Sequence, residues 1–139
     1  MKKIVKYKKN FNSNTPSWEE VLYHFNYSVN KNEPYKNTSP GFFVNDFANR
    51  IPSVQLVLDE LNLKIAHSYI NILDSSATFG NHIDSMDVWF WQAQGKTKWI
   101  IENEKEYILN KGDLIFISKG TRHNVIPLGP RIGISMSKI

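Results

Sequence analysis

Cysteine is absent from all 139 residues. That excludes disulfides, thiolate metal sites and cysteine nucleophiles. Any bound metal must be held by imidazole and carboxylate, ligands that suit iron, manganese, nickel or zinc. No apolar run approaches the ~20 residues that a membrane span needs. The first residues also lack the apolar core of a signal peptide. The expectation is a soluble, cytoplasmic chain with no membrane partner, and the Asn/Lys/Ile bias suggests an AT-rich bacterial or viral source. Arg-rich stripes of the nucleic-acid-reading kind are missing too, so nucleic acid is not the expected partner. The net charge of +4 owes much to the opening MKKIVKYKK, which reads as a solvated basic terminus. It mildly favours an acidic substrate or an RNA-associated protein.

What is present is enough apolar residue to fold. The 41% hydrophobic and 13% aromatic content can bury a core at this length without staples. The length predicts one domain over 1–139: a helical and loop segment over 1–63, then a β core over 64–139 that carries the site. Residues 1–16 read as an edge segment or a loose arm. SWEEVLYHFN reads as a short helix with a capping box from Ser17 and Glu20, burying Trp18, Val21, Leu22 and Phe25. NKNEPYKNTSPG is turn and loop chemistry, and GFFV a short strand. A second helix runs from about Ser53 to Leu61 after Pro52, with Val54, Val57, Leu58 and Leu61 buried. From residue 64 the pattern alternates and turns come quickly. About eight short strands follow, beginning with KIAHSYINIL and closing with RIGISMSK. DSSATFGN is a loop between the first two. Helices at the front and strands at the back predict a curved antiparallel β-sandwich or small barrel with helices packed outside.

GNHIDSMDVWFWQAQGKTKW is the stretch that carries chemistry. In an extended strand residues i and i+2 face one side, so His82 and Asp84 present an imidazole and a carboxylate to one point. Two ligands hold a catalytic metal poorly. His123, at the start of a short strand after the KGTR turn, is available as a third. Two His and one carboxylate leave open positions, as in non-haem Fe(II) oxygenases. His24 and His67 read as structural, because neither has a carboxylate at ligand spacing. Asp87 reads as a partner of a ligand His or as a turn cap, and Asp113 as a turn residue that bonds backbone amides. Val88, Trp89, Phe90 and Trp91 alternate and fill the two faces of a buried strand, with one Trp a candidate for the pocket mouth.

Gly112 to His123, in GDLIFISKGTRH, resembles the second cupin motif, with Ser118 where the motif has proline. His82, Asp84, Asp87-Val88, Gln92, Gly95, Lys96, Lys98 and Trp99 resemble, in order, the first metal-binding segment of the JmjC and ribosomal-oxygenase cupins. The resemblance covers residues 64–139. It implies a mainly β double-stranded β-helix (the cupin or jelly-roll fold) with one or two N-terminal helices outside. It also implies an Fe(II)- and 2-oxoglutarate-dependent dioxygenase, a hydroxylase, with His82, Asp84 and His123 as iron ligands. Such enzymes take 2-oxoglutarate and O2 and hydroxylate a C–H bond of a prime substrate, here a protein, a peptide or a small molecule. In the ribosomal-oxygenase group a Lys or Arg 13 residues after the Asp anchors the distal carboxylate of 2-oxoglutarate. Here that position is Thr97. Arg131 offers a second anchor, assisted by Thr97, with Asn71 and Tyr69 as lesser candidates on the inner face. The rival readings are a metal cupin that does not use 2-oxoglutarate, such as an isomerase or another dioxygenase, and a small-molecule binder without turnover. Exposed sheet edges leave room for a homodimer.

Overall fold

The alternating second half becomes strands whose two faces do different jobs. The computed structural model describes residues 3–73 and 78–139. Its elements are β1 (Val5–Lys8), α1 (Trp18–Asn30), β2 (Tyr35–Ser39), β3 (Phe42–Asn45), α2 (Pro52–Leu61), β4 (Ile65–Asn71), β5 (Val88–Gln94), β6 (Thr97–Ile101), β7 (Tyr107–Leu109), β8 (Leu114–Ile117), β9 (His123–Pro127) and β10 (Arg131–Ser137). A larger sheet has the order β1-β8-β5-β10-β4-β3-β2 and a smaller one β7-β6-β9. The pairings are antiparallel. Among the described residues no helix is long and apolar enough to cross a membrane. The expected mainly β double-stranded β-helix is present, with helices confined to the first half.

Period-2 alternation divides the larger sheet. Ala66 and Ile70 of β4, Trp91 and Ala93 of β5, and Ile132, Ile134 and Met136 of β10 join Val54, Val57 and Leu58 of α2 in one buried cluster. Each Val, Leu, Ile or Met among them contributes roughly 1.5–3 kcal/mol by leaving water. The intervening residues turn to the other face. There Phe90, Ile115 and Ile117 meet Trp99, Ile101, Leu109 and Val125 from the smaller sheet in a second cluster. The helices thus cover one face, and the other is left for the site.

Ser17 caps α1 by accepting from the Glu20 amide at 3.1 Å. The helix runs on to Asn30, well past the expected stretch. Val21 is buried, but Leu22 is 42% exposed. The buried stripe instead runs through Trp18, Val21, Phe25 and Ser28, at the i, i+3, i+7 spacing of one helix face. The α2 helix places Pro52 at its first turn and ends with Asn62 in a left-handed conformation, φ 57°. The loop expected over 30–41 contains β2, which pairs with β3. Cross-strand pairing there overrides polar, turn-forming residue types. DSSATFGN lies partly outside the described residues. The opening arm holds an edge strand, β1, on β8. Asp113 anchors it, accepting from Tyr7 Oη at 2.8 Å and the Asn10 amide at 2.9 Å, as well as from the Asn110 amide at 2.9 Å in its own turn.

Candidate metal centre and its two chambers

Backbone pairing brings the metal-ligand candidates together. His82 and His123 form an isolated antiparallel bridge, each amide donating to the other's carbonyl at 2.9 Å. Directly opposed residues share a face, so the two imidazoles stand side by side with ring centroids 4.4 Å apart. Asp84, two residues on, returns to that face. Its carbonyl is fixed by the Gly120 amide at 2.9 Å. One donor atom from each of His82, Asp84 and His123 lies within 4.8 Å of the others.

The tautomers suit a metal. His82 Nδ1 lies 2.7 Å from the Gly80 carbonyl and His123 Nδ1 lies 2.8 Å from the Thr121 carbonyl. A carbonyl only accepts, so each Nδ1 carries the proton and each Nε2 keeps its lone pair. Those Nε2 atoms face Asp84, at 3.6 Å from His82 and 3.3 Å from His123. Burial by itself would raise the Asp84 carboxyl. With the metal absent and both rings also protonated at Nε2, the hydrogen bond with His123 and the charges of both His residues outweigh it and hold the group below the usual carboxylate range. The Trp99 ring stacks on His123, centroids 5.5 Å apart and 13° from parallel.

A first chamber opens between the sheets beside this triad. Arg131, Phe42, Tyr69, Phe90 and Trp99 line it. Arg131 is 1% exposed. Its Nε donates to Asn71 Oδ1 at 2.6 Å, and its guanidinium carbon sits 5.8, 5.9 and 5.7 Å from the ring centroids of Phe42, Tyr69 and Phe90. Nη1 is buried with no hydrogen-bond partner. Burial pushes the group down to about 10, so it remains a cation at neutral pH. Among the described residues no carboxylate pairs with it. Gly133 makes its space: a Cβ there would collide with the Phe90 ring and lie 3.0 Å from Arg131 Nη1.

A second chamber shares Tyr69, Asp84, Val88 and Ser135 with the first and adds His67, Ser85 and Ser137. The two therefore meet at Asp84. His67 Nδ1 is 3.1 Å from Asp46 Oδ1. The angle falls short of a full hydrogen bond, and Nδ1 makes no other.

His82, Asp84 and His123 thus converge, and Arg131, Asn71 and Tyr69 are grouped beside them. Thr97 stands apart from the chamber lining. It is buried, donates to Gln92 Oε1 at 2.8 Å and accepts from Trp99 Nε1 at 3.1 Å, so its hydroxyl is engaged elsewhere. A register irregularity lies near Gly95, between β10 and β5. It leaves Thr97 buried and Lys98 at the surface side of β6. Neither Trp89 nor Trp91 reaches the pocket; Trp99 does, because its strand belongs to the opposite sheet. Asp87 accepts from the Lys119 amide at 2.9 Å and so caps a turn. His67 does have a carboxylate neighbour, Asp46. Asp46 lies in the turn just after β3, and His67 on the neighbouring β4, so spacing along the chain carries no trace of the pair.

Fold and site together define a cupin-like β-sandwich with a two-histidine, one-carboxylate centre. Residues 44–107 match the family model for a JmjC domain. That stretch starts earlier than the sequence motifs, includes His82 and Asp84, and ends before His123 and Arg131. That match covers just under half of the chain, and over it the chain is similar to JmjC domains. Among solved structures it is similar to the Escherichia coli ribosomal oxygenase YcfD, with 14% identity, TM-score 0.73, and coverage of 95% of this chain and 47% of that one. The same enzyme in complex with cobalt and 2-oxoglutarate aligns at 15% identity and TM-score 0.61, covering 68% of this chain and 30% of that one. KdgF from Halomonas sp. aligns at 18% identity and TM-score 0.53, covering 79% and 93%. The chain thus spans less than half the length of the ribosomal oxygenase chains it matches. No curated protein sequence matches it.

Proposed function

We propose that this chain is an Fe(II)- and 2-oxoglutarate-dependent oxygenase that hydroxylates a side chain of a protein or peptide, or a small molecule. His82, Asp84 and His123 would hold the iron, and Arg131 would grip the distal carboxylate of 2-oxoglutarate. The observation that carries the reading is Arg131: a buried cation with an unpartnered Nη1, in a chamber that also contains the triad. A buried unpaired charge is costly, and a carboxylate is the ligand whose geometry a guanidinium fork matches. The donor set fits Fe(II) as well, with two imidazoles and one carboxylate and no thiolate. Bound iron would supply the redox chemistry by which substrate, 2-oxoglutarate and O2 become hydroxylated substrate, succinate and CO2, one oxygen atom entering each of the first two products.

The chain's own residues do the rest. The Gly80 and Thr121 carbonyls hold the imidazoles in the metal-binding tautomer. Asn71 fixes Arg131 through Nε, leaving the outer nitrogens for ligand. Phe42, Phe90 and Trp99 keep water from the chamber and strengthen the charge contact inside it. Thr97 has no part in this anchor. The reading includes a cytoplasmic setting.

Succinate production from 2-oxoglutarate by the purified protein with Fe(II), ascorbate and O2, beside an Asp84→Ala control, tests the proposal. Succinate from the wild type and none from the control is the expected result. No succinate, together with no 2-oxoglutarate binding to the metal-loaded protein, would turn the assignment to a metal cupin of different chemistry.

A further inference from the structure

The two chambers meet at one carboxylate but offer opposite chemistry. We propose that the second chamber is the subsite for the prime substrate, and that His67, with the Asp46 carboxylate beside its Nδ1, is its specificity-determining residue. The subsite takes a hydrogen-bond-donating group, an amide or an ammonium, and rejects a carboxylate. The proposal rests on the functional reading above.

Strand register places the parts. On β4 and β10, Asn71 stands opposite Arg131, Tyr69 opposite Gly133 and His67 opposite Ser135. Alternate residues share a face, so Arg131 and His67 look onto the same side of the sheet, four residues of β4 apart. Tyr69 and Ser135 between them border both chambers, as does Asp84. The metal centre therefore has a cation on one side and His67 on the other. The co-substrate's negative end belongs with Arg131, which leaves the His67 side for the second reactant.

The second chamber's walls set what that reactant can be. Its polar side carries His67 and the hydroxyls of Ser85, Ser135 and Ser137, and among the described residues no Lys or Arg lines it. Asp46 Oδ1 beside Nδ1 favours the proton on that nitrogen, so Nε2 is left as an acceptor. A donor group on the substrate satisfies it. A carboxylate would find no fixed cation and would approach Asp46 besides. Ile83, Met86 and Val88 on the remaining side suit a methylene stem. The Lys residues of the basic N-terminus do not alter this. Lys3, Lys6, Lys8 and Lys9 lie on and around β1, at the far edge of the sheet and four strands from β4. Net charge thus points to an acidic substrate while the local site points away from one, and recognition follows the local site.

The test is a titration of 13C/15N-histidine-labelled protein loaded with Zn(II) and 2-oxoglutarate, since zinc carries no redox turnover. The probes are butyramide, n-butylammonium and butyrate. Butyramide and butylammonium should shift the His67 ring resonance saturably, and butyrate should not. His67→Ala, followed through the backbone amides of Ser135 and Ser137, and Asp46→Ala should each raise the Kd of butyramide about fivefold, the worth of one neutral hydrogen bond. Asp46→Asn should restore it, and 2-oxoglutarate affinity should be unchanged in all three variants. Butyrate binding as well as the other probes, unchanged Kd values in the variants, or no shift with any probe would each overturn the proposal. Failure of 2-oxoglutarate to bind would instead overturn the functional reading. The same titration of the Zn(II)-loaded protein alone would then still decide the subsite.

Discussion

Replacing Arg131 with Met separates the cation's role from its volume. The guanidinium is 1% exposed, tied to Asn71 through Nε alone, with Nη1 unpartnered. If it grips a carboxylate with two charge-assisted hydrogen bonds, each contributes about 1.5–3 kcal/mol, and breaking such a buried pair costs about 3–5 kcal/mol. At about 1.4 kcal/mol per decade, the Kd of 2-oxoglutarate should rise at least about 100-fold. Titration calorimetry of the Mn(II)-loaded protein reads this directly. Stability without ligand should move the other way or not at all, because Met fills much of the space and removes an uncompensated buried charge. At 2-oxoglutarate one hundred times its Kd, the wild type should gain about 2.7 kcal/mol. That is on the order of 8 °C in Tm, and Arg131→Met should not gain it at the same concentration. Arg131→Lys should recover part of the affinity only, since an ammonium is a point charge without the fork. A Kd in Arg131→Met within threefold of the wild type would refute the reasoning and send the anchor to another residue.

Asp84→Ala leaves two imidazoles for a divalent ion and should lower Mn(II) or Fe(II) affinity about 100-fold or more, since loss of even an outer partner of a ligand costs about 10–100-fold; equilibrium dialysis with metal analysis reads it, and unchanged metal content would refute the ligand assignment. Gly133→Ala should destabilise the fold by about 1–3 kcal/mol through overpacking, because its Cβ collides with Phe90 and presses on Arg131; a urea midpoint equal to that of the wild type would show that the sheet yields there. Tyr7 is pushed up to about 12 by partial burial and then by its hydrogen bond to Asp113 and that group's charge. A phenol whose folded value lies above its unfolded one contributes stability that is whole below about pH 10 and is lost as pH rises through about 12. Unfolding midpoints across that window should fall more steeply in the wild type than in Tyr7→Phe, and parallel curves would remove Tyr7 from the account.

Much of the architecture was legible along the chain because period 2 is a local property. Alternation in IAHSYIN, VWFWQAQ and RIGISMS tells which residues share a face, whatever the strand's neighbours are. His82 and Asp84 at i and i+2 needed only an extended backbone to converge, and Ser17 with Glu20 needed only a helix to follow. Pro52 ahead of an apolar stripe located α2 for the same reason. Where local residue types disagreed with pairing, pairing prevailed: YKNTS, read as a loop, is held as β2 by β3. Leu22 was assigned to the core from spacing alone, and it faces water because the stripe through Val21, Phe25 and Ser28 meets the body of the protein instead.

Tertiary structure decided what crosses between strands. The His82–His123 bridge joins residues 41 positions apart, and no spacing rule predicts that two strands will oppose those two residues rather than their neighbours. Thr97 sits where a family anchor would stand, yet Gln92 and Trp99 claim its hydroxyl. Arg131 is one cation among many in the sequence; register with Asn71 and the closeness of Phe42, Tyr69 and Phe90 make it a buried, half-partnered one. His67 and Asp46 come together only because β3 lies beside β4. Sequence by itself determined which atoms can face the same way, since side-chain alternation is set by the backbone of one strand. The fold determined which of those faces look at one another, since sheet register is set by the packing of the whole core.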